Sequence, residues 1–129
     1  MTIRILVVDD YMDWRKEVRF LLRARPEYQV IWEASNGSEA VQKAAELKPD
    51  LILMDIGLPS LNGLEAARRI RQVSLNSKIV FLTIDNSPDL KQAAMSTGAQ
   101  GFVHKLHAQG ELLPVIEAVL RENIVPRAS

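Results

Sequence analysis

Asp55 stands where a short apolar run, Leu51–Met54, gives way to a loop that contains Gly57 and Pro59. An apolar run of this length fits either a buried strand or part of a buried helix. The chain-breaking residues on both sides, Pro49 among them, favour a short strand buried on both faces. In a parallel sheet covered by helices, ligands bind just beyond the carboxyl ends of the strands. We therefore expect the Asp55 carboxylate to lie at the ligand-binding edge of a sheet.

Polar residues also follow three other predicted strands. Asp9 and Asp10 follow the first strand, Thr83 follows the fourth, and Lys105 follows the fifth. If the first and third strands are neighbours, the carboxylates of Asp9, Asp10 and Asp55 lie close together. Like charges at close range raise one another's pKa values, and a hard divalent cation with oxygen ligands relieves this repulsion. The pattern therefore predicts a Mg²⁺ site at this edge of the sheet.

Five short apolar runs alternate with amphipathic helical patterns along the chain. The predicted strands are residues 3–8, 29–34, 51–54, 78–82 and 102–103, and the predicted helices begin near residues 12, 38, 63, 88 and 111. Such alternation predicts an α/β fold with helices on both faces of a parallel sheet. The arrangement we expect is a flavodoxin-like, doubly wound (βα)5 sheet with strand order 2-1-3-4-5.

Two of the predicted helices carry specific expectations. Proline lacks a backbone N–H and is tolerated mainly in the first turn of a helix, so Pro114 favours a start of the last helix as late as Glu111. The fourth helix, which extends to about Thr97, offers only a thin apolar face. We therefore expect the fourth helix to be the least firmly anchored element.

Composition narrows the class of protein. The 129 residues are 47% hydrophobic, enough for the core of a single domain. Basic and acidic residues both number 16, which argues against direct nucleic-acid binding because such proteins usually carry a basic excess. The absence of cysteine excludes disulfides and thiolate chemistry, and no apolar run approaches the roughly 20 residues of a membrane span. These features lead us to expect a cytoplasmic domain without a membrane partner.

The chemistry-bearing residues share one placement, at or just behind the carboxyl end of a predicted strand: Asp9, Asp10, Asp55, Pro59, Gly63, Thr83 and Lys105. In type and order they resemble the receiver domain of two-component response regulators, over residues 3 to about 122. The stretches 47–51 and 62–68 look most similar to receivers that precede a LuxR/NarL-type helix-turn-helix domain. The resemblance implies a receiver domain at residues 1–122, and a tail or the start of a linker to an effector domain at residues 123–129.

The resemblance also implies roles around Asp55. Asp55 would be the phosphoacceptor that takes a phosphoryl group from a sensor histidine kinase. Mg²⁺ would be bound by Asp10 directly, by Asp9 chiefly through water, and by Asp55 together with the backbone carbonyl of Gly57. The domain would then catalyse its own aspartyl phosphorylation and dephosphorylation without being a conventional enzyme.

A conformational switch follows from the same resemblance. Lys105 and the hydroxyl of Thr83 would each contact a phosphoryl oxygen, and the bond to Thr83 would draw the loop after the fourth strand inward. Phe102 would then move from an exposed to a buried rotamer, and the fourth helix would shift and control an output such as transcription. The resemblance also allows two further partners, a C-terminal DNA-binding domain in the full-length protein and a second copy of the chain in a homodimer.

Three residues are expected to modulate access to the phosphoryl site. Ile84 is large where the family usually has a small residue, so we predict slow phosphoryl turnover. Gly57 places no side chain over the site, and the charge of Asp85 would repel an anionic donor. Leu106 replaces a proline that often follows the lysine, which predicts an ordinary trans peptide bond there.

Two other functions remain as alternatives. A degenerate receiver would act as a phosphate-independent protein-interaction module, an alternative that Ile84 keeps alive. A phosphatase of the haloacid dehalogenase type would need Asp-x-Asp after the first strand, which the adjacent Asp9 and Asp10 do not provide. Two pairs of residues receive no site role: His104 and His107 are interpreted as surface residues, and Trp14 and Trp32 as packing and surface aromatics.

Overall fold

The computed structural model describes residues 1–122 and contains one parallel sheet of five strands. The strands are β1 (Ile3–Val8), β2 (Tyr28–Ala34), β3 (Leu51–Met54), β4 (Lys78–Thr83) and β5 (Gly101–His104). The helices are α1 (Met12–Leu22), α2 (Gly37–Leu47), α3 (Gly63–Val73), α4 (Pro88–Ser96) and α5 (Ala108–Arg121), with a short 3-10 turn at Lys105–His107 before α5. The strand order is β2-β1-β3-β4-β5, so the predicted fold class and strand order are confirmed.

Register at the centre of the sheet explains why two distant acidic segments meet. β1 and β3 pair in parallel, with Val8 opposite Met54. The backbone N–H of Asp55 continues this ladder by donating to the Val8 carbonyl at 3.0 Å. The residues that follow the two strands, Asp9 and Asp55, therefore leave the sheet side by side.

Alternating strand residues build a separate core on each face of the sheet, because successive side chains of a strand point in opposite directions. One face packs Val8, Met54 and Phe81 against small residues of α2, α3 and α4. The other face packs residues such as Val7 and Leu53 against α1 and α5. β3 is fully buried, as expected for a central strand covered on both sides.

Two helices differ in how well the sequence predicted them. Of the five described helices α4 buries the fewest residues, with only Ala94 fully inside, which agrees with its thin apolar face. The expected late start of α5 is wrong: it begins at Ala108, and Pro114 lies inside it. Both Pro114 and Gly110, whose carbonyl loses its N–H partner to the proline, are exposed. Water can therefore hydrate that carbonyl, which lowers the cost of an internal proline.

Residues 123–129, expected to form a tail or linker, lie outside the described residues. Within residues 1–122, no helix combines the length and the apolar character that crossing a membrane requires.

Candidate functional site

Three carboxylates meet at the carboxyl edge of the sheet. Asp9 and Asp10 follow β1, Asp55 follows β3, and one carboxylate oxygen of each lies within 4.8 Å of the others. Asp9 is buried, Asp55 is half-buried and Asp10 is exposed. The structure therefore brings together the acidic residues that the sequence predicted to converge, and it leaves the cluster open to solvent on the Asp10 side.

A buried ammonium group bridges two of these carboxylates. Nζ of Lys105 donates to Oδ2 of Asp9 at 2.7 Å and to Oδ2 of Asp55 at 3.1 Å. Lys105 is only 4% exposed, so these charge-assisted bonds are shielded from water and set the position of its side chain. β5, which precedes Lys105, is separated from β1 by two strands. The lysine therefore spans the sheet edge to reach Asp9.

Backbone N–H groups orient the second oxygen of each bridged carboxylate. Oδ1 of Asp9 accepts from the N–H of Tyr11 at 2.9 Å, and Oδ1 of Asp55 accepts from the N–H of Ile56 at 2.7 Å. Arg15 additionally donates to the Asp9 carbonyl at 2.7 Å. Each carboxylate is thus fixed by a local turn and by a distant lysine, which reduces the reorganisation needed during a reaction.

Burial dominates the electrostatics of Asp9. Loss of solvent raises the pKa of the Asp9 carboxyl above its ordinary value, and the charge of Asp55 adds to the rise. The hydrogen bond and charge of Lys105 and the N–H of Tyr11 oppose this effect but do not cancel it. Burial therefore disfavours the charged form of Asp9 even beside Lys105, and a bound cation would offset this cost.

The donor set fits Mg²⁺. Carboxylate oxygens are the hard ligands that this ion prefers, and Mg²⁺ commonly retains several waters, which the exposed side of the cluster accommodates. The raised pKa of Asp9, caused mainly by burial, agrees with a site where a bound cation would stabilise the charged carboxylate. Asp9, Asp10 and Asp55 are thus the residues able to hold the ion.

A cavity of about 390 Å³ lies over Asp55. Its walls include Gly57, Thr83, Ile84 and Asp85, so the structure brings these predicted residues together beside Asp55. Thr83 is buried at the end of β4, whereas Ile84 is 62% exposed at the rim. A β-carbon at Gly57 would meet no atom within 4 Å, so the cavity is open on the glycine side. Asp55 can therefore be reached from solvent, past Ile84.

Phe102 lies in the middle of β5, outside the acidic cluster. It is half-buried and packs against the core face that holds α4. Its partial exposure is compatible with the predicted rotamer change, and that change stays a prediction.

Close packing of α3 fixes the loop that carries Asp55. The N–H of Gly63 donates to the Ile56 carbonyl at 2.7 Å. A β-carbon at Gly63 would lie 2.2 Å from the Asp55 carbonyl oxygen, closer than side-chain atoms can approach backbone. Glycine at this position therefore lets the start of α3 support the backbone of Asp55 directly.

Gly63→Ala is expected to lower the free energy of unfolding by about 2–3 kcal/mol, because the Asp55–Ile56 backbone must shift to admit the methyl group. Gly57→Ala is the matched control, since its β-carbon meets open space, and its effect should stay within about 0.5 kcal/mol. Urea titration of both variants measures the difference. Equal stabilities for the two variants would show that the close approach at Gly63 does not constrain the loop.

Two neighbours of the site were missed from the sequence. The ring of Trp14 lies beside Lys105, with Nζ 5.0 Å from the ring centroid. His104, interpreted as a surface residue, is half-buried, and its Nε2 hydrogen-bonds the carbonyl oxygen of Ile84 at 2.5 Å. Their positions carried a usable signal, since Trp14 lies in the first turn after Asp10 and His104 directly precedes Lys105.

Comparisons with known proteins agree with this geometry. Residues 5–117 match the family model described as response regulator receiver domain. The nitrate/nitrite response regulator protein NarL of Escherichia coli strain K12 is 35% identical over 128 residues, covering 95% of this chain and 59% of that protein. The chain spans less than two thirds of the length of curated relatives such as NarL, between 34% and 59%.

Solved structures give the same result. A two-component response regulator of the LuxR family from Aurantimonas sp. SI85-9A1 is 37% identical with a TM-score of 0.89, over 95% of this chain and 87% of that one. The response regulator domain of Thermotoga maritima CheB is 31% identical with a TM-score of 0.84, over 98% of this chain and 100% of that one.

Proposed function

The chain belongs to the response regulator receiver domain family, with relatives of the LuxR/NarL type, and from that premise we propose that Asp55 is its phosphoacceptor. One observation carries the proposal: Nζ of Lys105 donates to the carboxylates of both Asp9 and Asp55, and Asp55 also lines a cavity together with Thr83. A carboxylate that contacts a buried cation on one side and shares a cavity with a hydroxyl on the other is suited to carry a phosphoryl group.

The proposed reaction is transfer from a phosphohistidine of a sensor kinase. An oxygen of the Asp55 carboxylate attacks phosphorus, the P–N bond breaks, and the histidine ring leaves with a proton. Bound Mg²⁺ would supply charge that offsets the phosphoryl oxygens, held by Asp9, Asp10, Asp55 and the Gly57 carbonyl. In dephosphorylation, water attacks phosphorus, the P–O bond to Asp55 breaks, and inorganic phosphate leaves.

Lys105 and Thr83 are the side chains proposed to bind the phosphoryl oxygens directly. Lys105 already faces Oδ2 of Asp55 at 3.1 Å, so a short movement of its ammonium reaches a phosphoryl oxygen attached there. Thr83 offers a hydroxyl at the end of the neighbouring strand β4. Because both groups are buried, their attraction for the phosphoryl oxygens is stronger than it would be in water.

The output would pass through α4. Movement of Thr83 toward the phosphoryl group draws in the loop between β4 and α4, and Phe102 takes up the space that this movement opens. α4 fully buries only Ala94 and packs Leu90 partly against the core, which supports its role as the moving element, since weakly packed elements shift at least cost. A C-terminal DNA-binding domain in the full protein is the proposed recipient of this shift.

Beryllofluoride with Mg²⁺ separates this function from a phosphate-independent interaction module, the second candidate that exposed Ile84 supports. For a phosphoacceptor we expect saturable backbone NMR shifts at Thr83, Phe102 and Lys105 that require both Mg²⁺ and beryllofluoride. Spectra that do not respond to the pair would favour the interaction module.

Ile84→Ala is expected to raise the rates of phosphorylation and of phosphoryl loss together, each several-fold, because Ile84 stands at the rim of the cavity over Asp55. The two rates are measured with a small acyl phosphate donor and by decay after donor removal. Leu106→Ala is the control, an exposed apolar residue outside that cavity. Unchanged rates in Ile84→Ala would refute the steric argument.

A further inference from the structure

The indole of Trp14 is the one aromatic face that the described residues present to Lys105. Nζ lies 5.0 Å from the ring centroid, and a cation within about 6 Å of an aromatic centroid is attracted by the negative face of the ring. Trp14 is half-buried against the core formed by α1 and α5. We propose that Trp14 is a positioning residue that holds Lys105 for phosphoryl transfer, an inference that rests on the function proposed above.

The topology explains why Lys105 needs such support. Lys105 follows β5, at the edge of the sheet, whereas its partner Asp9 follows β1, beyond two intervening strands. Its flexible four-carbon stem must therefore cross the sheet edge before the ammonium finds a carboxylate. α1 begins at Met12, just after the acidic pair, so its first turn places the Trp14 ring along this crossing.

The chemistry of an indole face suits this position. Two directions around Nζ are occupied by carboxylate oxygens, and the ring adds attraction without accepting a proton or bringing another negative charge. When Asp55 becomes an acyl phosphate, the oxygens that Lys105 must contact lie farther from the backbone. Oδ2 of Asp9, 2.7 Å from Nζ, still attracts the ammonium away from them. The Trp14 ring beside the Lys105 ammonium limits movement of the ammonium toward Asp9 and keeps it within reach of the phosphoryl group.

Substitutions of graded aromatic character test the inference. Trp14→Leu is expected to slow Asp55 phosphorylation by a small acyl phosphate about three- to tenfold, whereas Trp14→Phe, which keeps a π face, should recover most of the rate. The matched control is Trp32→Leu, because Trp32 carries the same kind of contact, with Nζ of Lys43 4.1 Å from its ring, away from the acidic cluster. Trp32→Leu should phosphorylate at the wild-type rate.

A double-mutant cycle with Lys105→Met asks whether Trp14 acts through the lysine. Coupled residues give non-additive effects, so Trp14→Leu should cause no further loss of rate when Lys105 is already methionine. Ring-current shifts report whether the contact between Trp14 and Lys105 exists in solution. The side-chain protons of Lys105 should shift in Trp14→Leu, and the emission of Trp14 in a Trp32→Phe background should respond to beryllofluoride with Mg²⁺ only while Lys105 is present.

Each outcome decides the question. Equal rates for wild type and Trp14→Leu, equal losses in Trp14→Leu and Trp14→Phe, or a further loss in the Lys105→Met background would overturn the inference while leaving Asp55 as phosphoacceptor. A wild-type chain that takes no phosphoryl group would overturn the proposed function and this inference with it. The wild-type sample therefore distinguishes the two failures.

Discussion

Lys105→Met is expected to slow phosphorylation of Asp55 about 10²–10³-fold, the usual cost of removing one preorganised donor from a site of developing negative charge. The ammonium already lies 3.1 Å from Oδ2 of Asp55 and is shielded from solvent, so no other described group can take its place without moving. The rate is measured by intact mass after addition of a small acyl phosphate with saturating Mg²⁺.

Lys78→Met is the matched control for this substitution. Lys78 is the first residue of β4, at the amino end of the strand and therefore at the opposite edge of the sheet from the acidic cluster. Its loss should leave the phosphorylation rate near that of wild type. If both lysine variants reacted at the wild-type rate, Lys105 would be a structural partner of Asp9 alone and the proposed transition-state contact would be wrong.

Asp9→Asn is expected to produce the second large effect, a loss of Mg²⁺ affinity of about 10–100-fold. Asp9 is buried among the three converging carboxylates, and its removal takes one negative charge from the set that would hold the ion. Isothermal titration with Mg²⁺ measures the change. An unaltered affinity would mean that the ion is held without a contribution from Asp9, through water or otherwise.

When Mg²⁺ is absent, Asp9→Asn is expected to stabilise the fold. Burial raises the pKa of Asp9 in the folded state, so the contribution of this carboxyl to stability is present below its ordinary pKa and is lost as pH rises through the raised one. Asp9→Asn should therefore be more stable than wild type at neutral pH, and this advantage should disappear in acid. Thermal unfolding at the two pH values tests the sign.

Added Mg²⁺ should cancel or reverse that stability difference, because the ion stabilises the wild-type fold by mass action and the variant less. Asp50→Asn is a control, since Asp50 lies exposed at the amino end of β3. Its stability should not respond to Mg²⁺ differently from that of wild type. A stability advantage of Asp9→Asn that persists unchanged with Mg²⁺ would contradict the proposed cation site.

The sequence was sufficient for the central architecture of the site. Apolar runs bounded by breakers identified β1 and β3, and the strand order placed Asp9 and Asp55 side by side, because parallel neighbours end at the same edge. The type of each chemistry-bearing residue and its place after a strand required no knowledge of side-chain rotamers. These local signals therefore carried most of the prediction.

Features that depend on non-local packing were not predictable in the same way. The start of α5 was placed too late because the helical pattern alone does not show that Pro114 faces water, where an unpaired carbonyl is hydrated. Contacts of Trp14 with Lys105 and of His104 with Ile84 join elements that are far apart in the chain. Such contacts follow from how helices and loops lie across the finished sheet, which periodicity does not reveal.

The most direct test of the account is the intact mass of the chain after incubation with a small acyl phosphate donor, with Mg²⁺ and with EDTA, for wild type and Asp55→Asn. We predict one added phosphoryl group on the wild-type chain, dependent on Mg²⁺, and none on Asp55→Asn. An unmodified wild-type chain at saturating donor and Mg²⁺, or equal modification of Asp55→Asn, would contradict the assignment of Asp55 as the phosphoacceptor.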